Sequence, residues 1–162
     1  MKNAPLYRSE TRSVPIPSLP STLRNALLTH ADKKKLKMVA AHAWLTHREN
    51  PASETMFGKL FGKRSNRADP DASHDMLLVL HATHLLVGTS GVTGGTKIRS
   101  LSLLHATAKR GSDADAGLTI GGFPPTAADA PTYFMGLGAG PAAEACVLAV
   151  LDALDAAKRP AA

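Results

Sequence analysis

One cysteine, Cys146, stands among the 162 residues of this chain. That excludes an internal disulfide framework and a cysteine-rich metal site, and nothing demands an oxidising compartment. Aromatic residues are scarce at 4%, so Tyr7 and Trp44 make a poor stacking platform for single-stranded nucleic acid. No apolar run approaches the roughly 18 residues of a membrane-spanning helix, and no early apolar stretch of about 7 residues marks a secretory signal. A soluble cytoplasmic protein, at most peripheral to a membrane, is the expectation. The length suits one domain with its own core and is short for two.

What is present is positive charge. Lys and Arg number 19 against 13 Asp and Glu, a net charge of +6. The excess is uneven: residues 1–70 hold 13 basic and 5 acidic side chains, whereas residues 71–162 hold 6 and 8. Such asymmetry points to an anionic partner without separating phosphate, lipid and nucleic acid. For nucleic acid, Lys33, Lys34, Lys35 and Lys37 support only weak, salt-sensitive phosphate attraction.

Along the chain, residues 1–20 carry Pro5, Pro15, Pro17 and Pro20 among polar and basic side chains, a composition expected to form an extended arm. Ser21 is placed to cap a short helix with Leu23, Ala26 and Leu27 on one face. Asp32 to Lys37 then forms a polar, cationic break. Lys37 to His47 fits either a helix or a strand, and the strand is favoured by the β character of the segments after residue 75. The long polar loop 49–75, broken by Pro51, Gly58, Gly62 and Pro70, is expected to be mobile. Beyond it, Met76–Val79, Leu85–Val87, Lys97–Leu101, His105–Lys109, Leu118–Gly121 and Thr132–Leu137 are short strand candidates separated by turns. A helix opens at Pro141, favoured by Glu144 near its start and by Lys158 and Arg159 near its end. Its Ala143, Cys146, Val147, Val150, Leu151 and Leu154 recur at helical spacing, and 159–162 are left as a tail. The expected class is mainly β (α+β): a six- to seven-stranded antiparallel barrel or sandwich, a C-terminal amphipathic helix and a short N-terminal helix.

The paired runs Leu77-Leu78-Val79-Leu80 and Leu85-Leu86-Val87 across the His81-Ala82-Thr83-His84 turn are similar to the second and third strands of bacterial pleckstrin-homology-like (PH-like) domains. Ile98 to Thr107 is similar to their fourth strand, bend and fifth strand, and Gly117–Ile120, Tyr133–Leu137 and the helix from Pro141 complete the order. The resemblance spans roughly residues 37–158, within a single domain 21–158. It implies a split barrel capped by the helix, and a non-catalytic module that binds a protein or an anionic membrane. The family's anion-binding loop joins its first two strands; Lys59, Lys63, Arg64 and Arg67 occupy the corresponding loop here. Their charge-assisted hydrogen bonds would hold a phosphorylated or anionic surface, with Phe57, Leu60 and Phe61 beside them. Trp44 departs from the family by lying in the first strand instead of the C-terminal helix.

Two further readings compete. Exposed sheet edges and the Pro-rich arm are ready for strand addition with a protein partner, and a homo-oligomer is a separate expectation. The repeated His81-Ala82-Thr83 and His105-Ala106-Thr107 resemble the paired motifs of two-histidine phosphoesterases, whose imidazoles act as acid and base while Thr83 and Thr107 would hold phosphate. Their close spacing departs from that family, and its chemistry requires both rings to face one cleft. The seven histidines show no ligand spacing completed by cysteine or carboxylate, so no metal and no cofactor is expected. Gly136-Leu137-Gly138-Ala139-Gly140 lacks dinucleotide spacing and reads as a helix-packing loop.

Overall fold

The computed structural model describes residues 7–50, 71–111, 116–124 and 131–160. Among them the order is β1 (Arg8–Ser13), α1 (Ser21–Lys33), β2 (His42–Glu49), β3 (Ser73–Leu80), β4 (His84–Gly91), β5 (Gly95–Ser102), β6 (Thr107–Arg110), β7 (Gly117–Gly121), β8 (Thr132–Gly136) and α2 (Pro141–Lys158), with a 3-10 turn at Ile16–Ser18. Strands β1 to β5 form one antiparallel sheet in chain order, and β6 to β8 form a second. The chain is thus of the α+β class, built mainly from antiparallel sheet.

The apolar runs of β3 and β4 dictate the layering. Successive side chains of a strand point to opposite faces, so four consecutive buried residues require both faces to be covered. Met76 to Val79 and Leu85 to Gly88 are buried in this way. Met76, Leu78, Leu85 and Val87 enter a core shared with Trp44, the second sheet and α2. Leu77, Val79 and Leu86 enter another, closed by Leu23 and Leu27 of α1. Leu23, Leu27 and Ala31 form the buried stripe of α1 at four-residue intervals. Complete burial of one such leucine contributes about 1.5–3 kcal/mol.

Helix α2 buries Ala143, Cys146, Val147, Val150 and Leu154. Its ends also hold β6. Arg110 donates to both carboxylate oxygens of Glu144, at 3.0 and 2.6 Å, and Lys158 Nζ donates to the carbonyl of Ala106. Glu144 and Lys158 therefore suit the helix dipole and tether the second sheet together.

Several expectations need correction. The N-terminal arm is part of the sheet: Arg8–Ser13 pairs with β2 from Arg8↔Glu49 to Ser13↔Trp44, and Val14 and Leu19 lie in the α1-side core. It raises the strand count among the described residues to eight, above the expected six or seven. Polar side chains do not prevent this, because backbone groups do the pairing. Ser21 is the first helical residue and not the cap; the Pro20 carbonyl accepts the first helical bond from Arg24 N at 2.9 Å. The helix also runs through Lys33, beyond the start of the expected break. Segment 37–47 becomes strand only from His42, and His105 lies in a turn before β6.

Candidate functional site

Strand register divides the large sheet into two ends. His42, Leu80, His84 and Ser102 lie at one end, and Arg8, Glu49, Ser73 and Gly91 at the other. The first end gathers the C-terminus of α1, the β3–β4 turn, the β5–β6 turn and the last turns of α2.

Helix α1 stops there in a Schellman arrangement. Leu36 N donates to Ala31 O at 2.8 Å and Lys35 N to Asp32 O at 3.1 Å, with Lys35 at a φ of 57°. This geometry satisfies terminal carbonyls, and glycine is its usual occupant. A lysine in the left-handed region costs roughly 1 kcal/mol. The motif turns Leu36 toward the α1-side core and leaves Lys33, Lys34, Lys35 and Lys37 exposed. Ala41 N then bonds Met38 O at 3.2 Å, closing a turn on which Val39 is 87% exposed.

The neighbouring turns carry imidazoles. Thr83 N–H donates to His81 Nδ1 at 3.1 Å, so neutral His81 carries its proton on Nε2. Thr83 Oγ1 lies 2.7 Å from His84 Nδ1 and 3.1 Å from His81 Nδ1. Burial first, then His81 and Lys34, hold the His84 pKa below its ordinary value. Burial, then Lys34 and Lys33, lower that of His30, whose Nε2 bonds Ser100 Oγ at 2.7 Å. A cavity of about 570 Å³ opens at this end, walled by Ala40, Leu80, Leu103 and the alanines of α2, with His42 and His81 as its polar groups. His42 stacks on Trp44 at 4.0 Å between centroids and bonds Ser13 Oγ at 2.8 Å through Nε2.

The two His-Ala-Thr motifs come close along the backbone, since Leu103 N donates to Thr83 O at 3.0 Å. Their rings are arranged otherwise. His81 has His84 as its ring neighbour, 6.1 Å between centroids, and His105 does not line the cavity that holds His81. Thr107 sits on β6 opposite Gly121.

The proposed anion-binding residues Lys59, Lys63, Arg64 and Arg67 lie outside the described residues, as do Phe57, Leu60 and Phe61. The connection carrying them leaves β2 at Glu49 and enters β3 at Ser73, the end opposite the lysines of α1. The two basic clusters of the sequence are thus attached to opposite ends of the sheet. At that second end Asp71 caps the β4–β5 hairpin, its carboxylate accepting from Thr93 N at 3.1 Å and Thr93 Oγ1 at 2.6 Å. His47 Nδ1 bonds Asp75 at 2.8 Å.

Among the described residues no three His, Cys, Asp or Glu side chains group to hold a metal ion. Cys146 is fully buried and its thiol is pushed up to about 12 by that burial. A cavity of about 370 Å³ at the start of α2 is lined by Gly138, Gly140 and the paired Arg110 and Glu144. Gly138, with a φ of 76°, packs so closely on β1 that a β-carbon would come 2.3 Å from Ser9 O. No helix among the described residues is long and apolar enough to cross a membrane.

The pairing of an exposed valine with the α1 lysines escapes a sequence reading that assigns Met38 to Ala41 to the first strand. A run of lysines just after the helical pattern is the available signal. No protein-family model, curated protein or solved structure matches this chain.

Proposed function

We propose that this chain is a non-catalytic interaction domain that binds a negatively charged partner surface through the lysines closing α1. In this reading β2–β5, β6–β8 and α2 correspond in order to the strands and helix of a PH-like split barrel, with β1 and α1 added before them. The hydrogen bond from Thr11 Oγ1 to Leu137 O, at 2.7 Å, supports closure between β1 and the chain leaving β8.

The observation that carries the reading is Lys35 at a φ of 57° among four exposed lysines, Lys33, Lys34, Lys35 and Lys37. A charged side chain standing where glycine is sterically preferred is best accounted for by use of the charge. Strand addition through the N-terminal arm loses weight, because Arg8–Ser13 already pairs with β2.

The test is co-sedimentation, at low and high ionic strength, with polyglutamate-coated beads and with phosphatidylserine-containing vesicles. Binding to at least one, weakened by salt and by the variant K34E/K35E/K37E, is the expected result. Absence of binding to both at low ionic strength overturns the proposal. The variant K63E/R64E measures what the other basic cluster adds.

A further inference from the structure

We infer that the anionic surface is a lipid bilayer, on which the α1–β2 turn docks with Val39 entering the interface and Lys33, Lys34, Lys35 and Lys37 contacting headgroups. This rests on the anionic-partner reading above and adds the class of partner. It also places contact at the end of the sheet opposite Glu49 and Ser73, the strand residues that flank the segment to which the family resemblance assigns anion binding.

Three observations carry it. Val39 is 87% exposed two residues after Lys37, the last of the four lysines, whereas the other comparably exposed valine, Val92 at 95%, follows Gly91 and precedes Thr93, the residue bound by the Asp71 carboxylate. An apolar tip within a positive field matches an anionic bilayer, where charge draws the chain to the surface and the side chain then leaves water. An acidic peptide would use the lysines and leave Val39 without a role. Second, the turn is held from below, with Leu36 and Met38 packed on the α1-side core and Ala41 N bonded to Met38 O. The valine is therefore presented by an anchored segment. Third, Leu104 is 64% exposed in the β5–β6 turn. Ala40 and Leu103, the chain neighbours of Val39 and Leu104, line the same cavity, so two apolar tips flank one cavity at the cationic end.

The experiment measures partitioning of the full chain onto sucrose-loaded vesicles of phosphatidylcholine with and without phosphatidylserine, beside the polyglutamate beads. The variants are V39D, L104D and K34E/K35E/K37E. Each replaces exposed side chains, and circular dichroism with thermal melting checks that they fold. Expected are binding to the phosphatidylserine vesicles only, a loss of about tenfold or more for V39D, and a loss of about a hundredfold for the triple variant. On polyglutamate V39D should lose about fivefold at most, the effect of its one added negative charge, and so less than it loses on vesicles. Vesicle binding unchanged in V39D, or binding to polyglutamate without binding to vesicles, overturns the bilayer inference and leaves the anionic-partner reading standing. Binding to neither overturns both.

Discussion

The guanidinium of Arg48 fills the space beside Gly136 that a side chain there would need, so that a β-carbon at that position would come 2.6 Å from Cζ. Arg48 is only 5% exposed, its Cζ sits 4.2 Å from the centroid of the Tyr7 ring, and its Nη1 approaches Met76 Sδ at 3.6 Å. This arginine, on β2, thereby joins the large sheet to the end of β8. Gly136→Ala should displace a side chain that has little room to move and lower stability by about 1–3 kcal/mol, as overpacking does. Urea denaturation would show it as a reduced midpoint with an unchanged slope; an unaltered midpoint would mean that Arg48 relaxes freely.

At the C-terminus of α1, Lys35→Gly relieves a left-handed lysine while preserving the hydrogen bonds of the motif. The gain in stability should be small, about 0.5 kcal/mol or less, since the greater freedom of unfolded glycine offsets much of the roughly 1 kcal/mol of relief. The same substitution removes one cation, so vesicle partitioning should fall about fivefold. Opposite signs in the melt and in the binding isotherm would separate the structural cost of Lys35 from its use.

Stability should depend on pH through His30 and His84, whose pKa values in the folded chain lie below the ordinary 6.5. Protonation of either ring is disfavoured in the folded state, so the unfolded chain takes up protons first as pH falls. Stability from these groups is therefore whole above about 6.5 and is lost as pH drops through the lowered folded values. Urea midpoints measured from pH 8 to pH 5 should decline in that window, and the double variant His30→Gln/His84→Gln should flatten the decline.

Cys146 offers a probe of core opening. Its thiol is inaccessible and pushed up to about 12 by burial, and the thiolate is the reactive form. A chromogenic disulfide reagent at pH 8 should label the unfolded chain rapidly and the native chain only at the rate of opening, slower by a thousandfold or more for a domain of ordinary stability. Fast native labelling would show that the α2 face opens readily.

The elements legible in the sequence are those whose signal is local. The β3–β4 pair shows two short apolar runs about a four-residue turn, and α2 shows apolar residues at three and four with suitable charges at its ends. Both patterns arise from backbone periodicity and need no distant partner. The candidate site is legible only as composition: four lysines are evident at 33–37, but their sharing of one end with His81 and His84 is not. The His-Ala-Thr repeat illustrates the same limit, since identical tripeptides place His81 beside His84 and leave His105 outside the cavity.

By itself the sequence determined an α+β chain rich in antiparallel strand, closed by an amphipathic helix, with its positive charge concentrated before residue 70. Only the tertiary structure decided that Arg8–Ser13 is a strand, that β3 and β4 are covered on both faces, and that the α1 lysines and the ends of the 50–72 connection lie at opposite ends of the sheet. The physical reason is that strand pairing, register and the covering of a face are contacts between residues far apart in the chain. Arg8 meets Glu49, Leu77 shares a core with Leu27, and Arg48 rests on Gly136; no local period encodes any of these meetings.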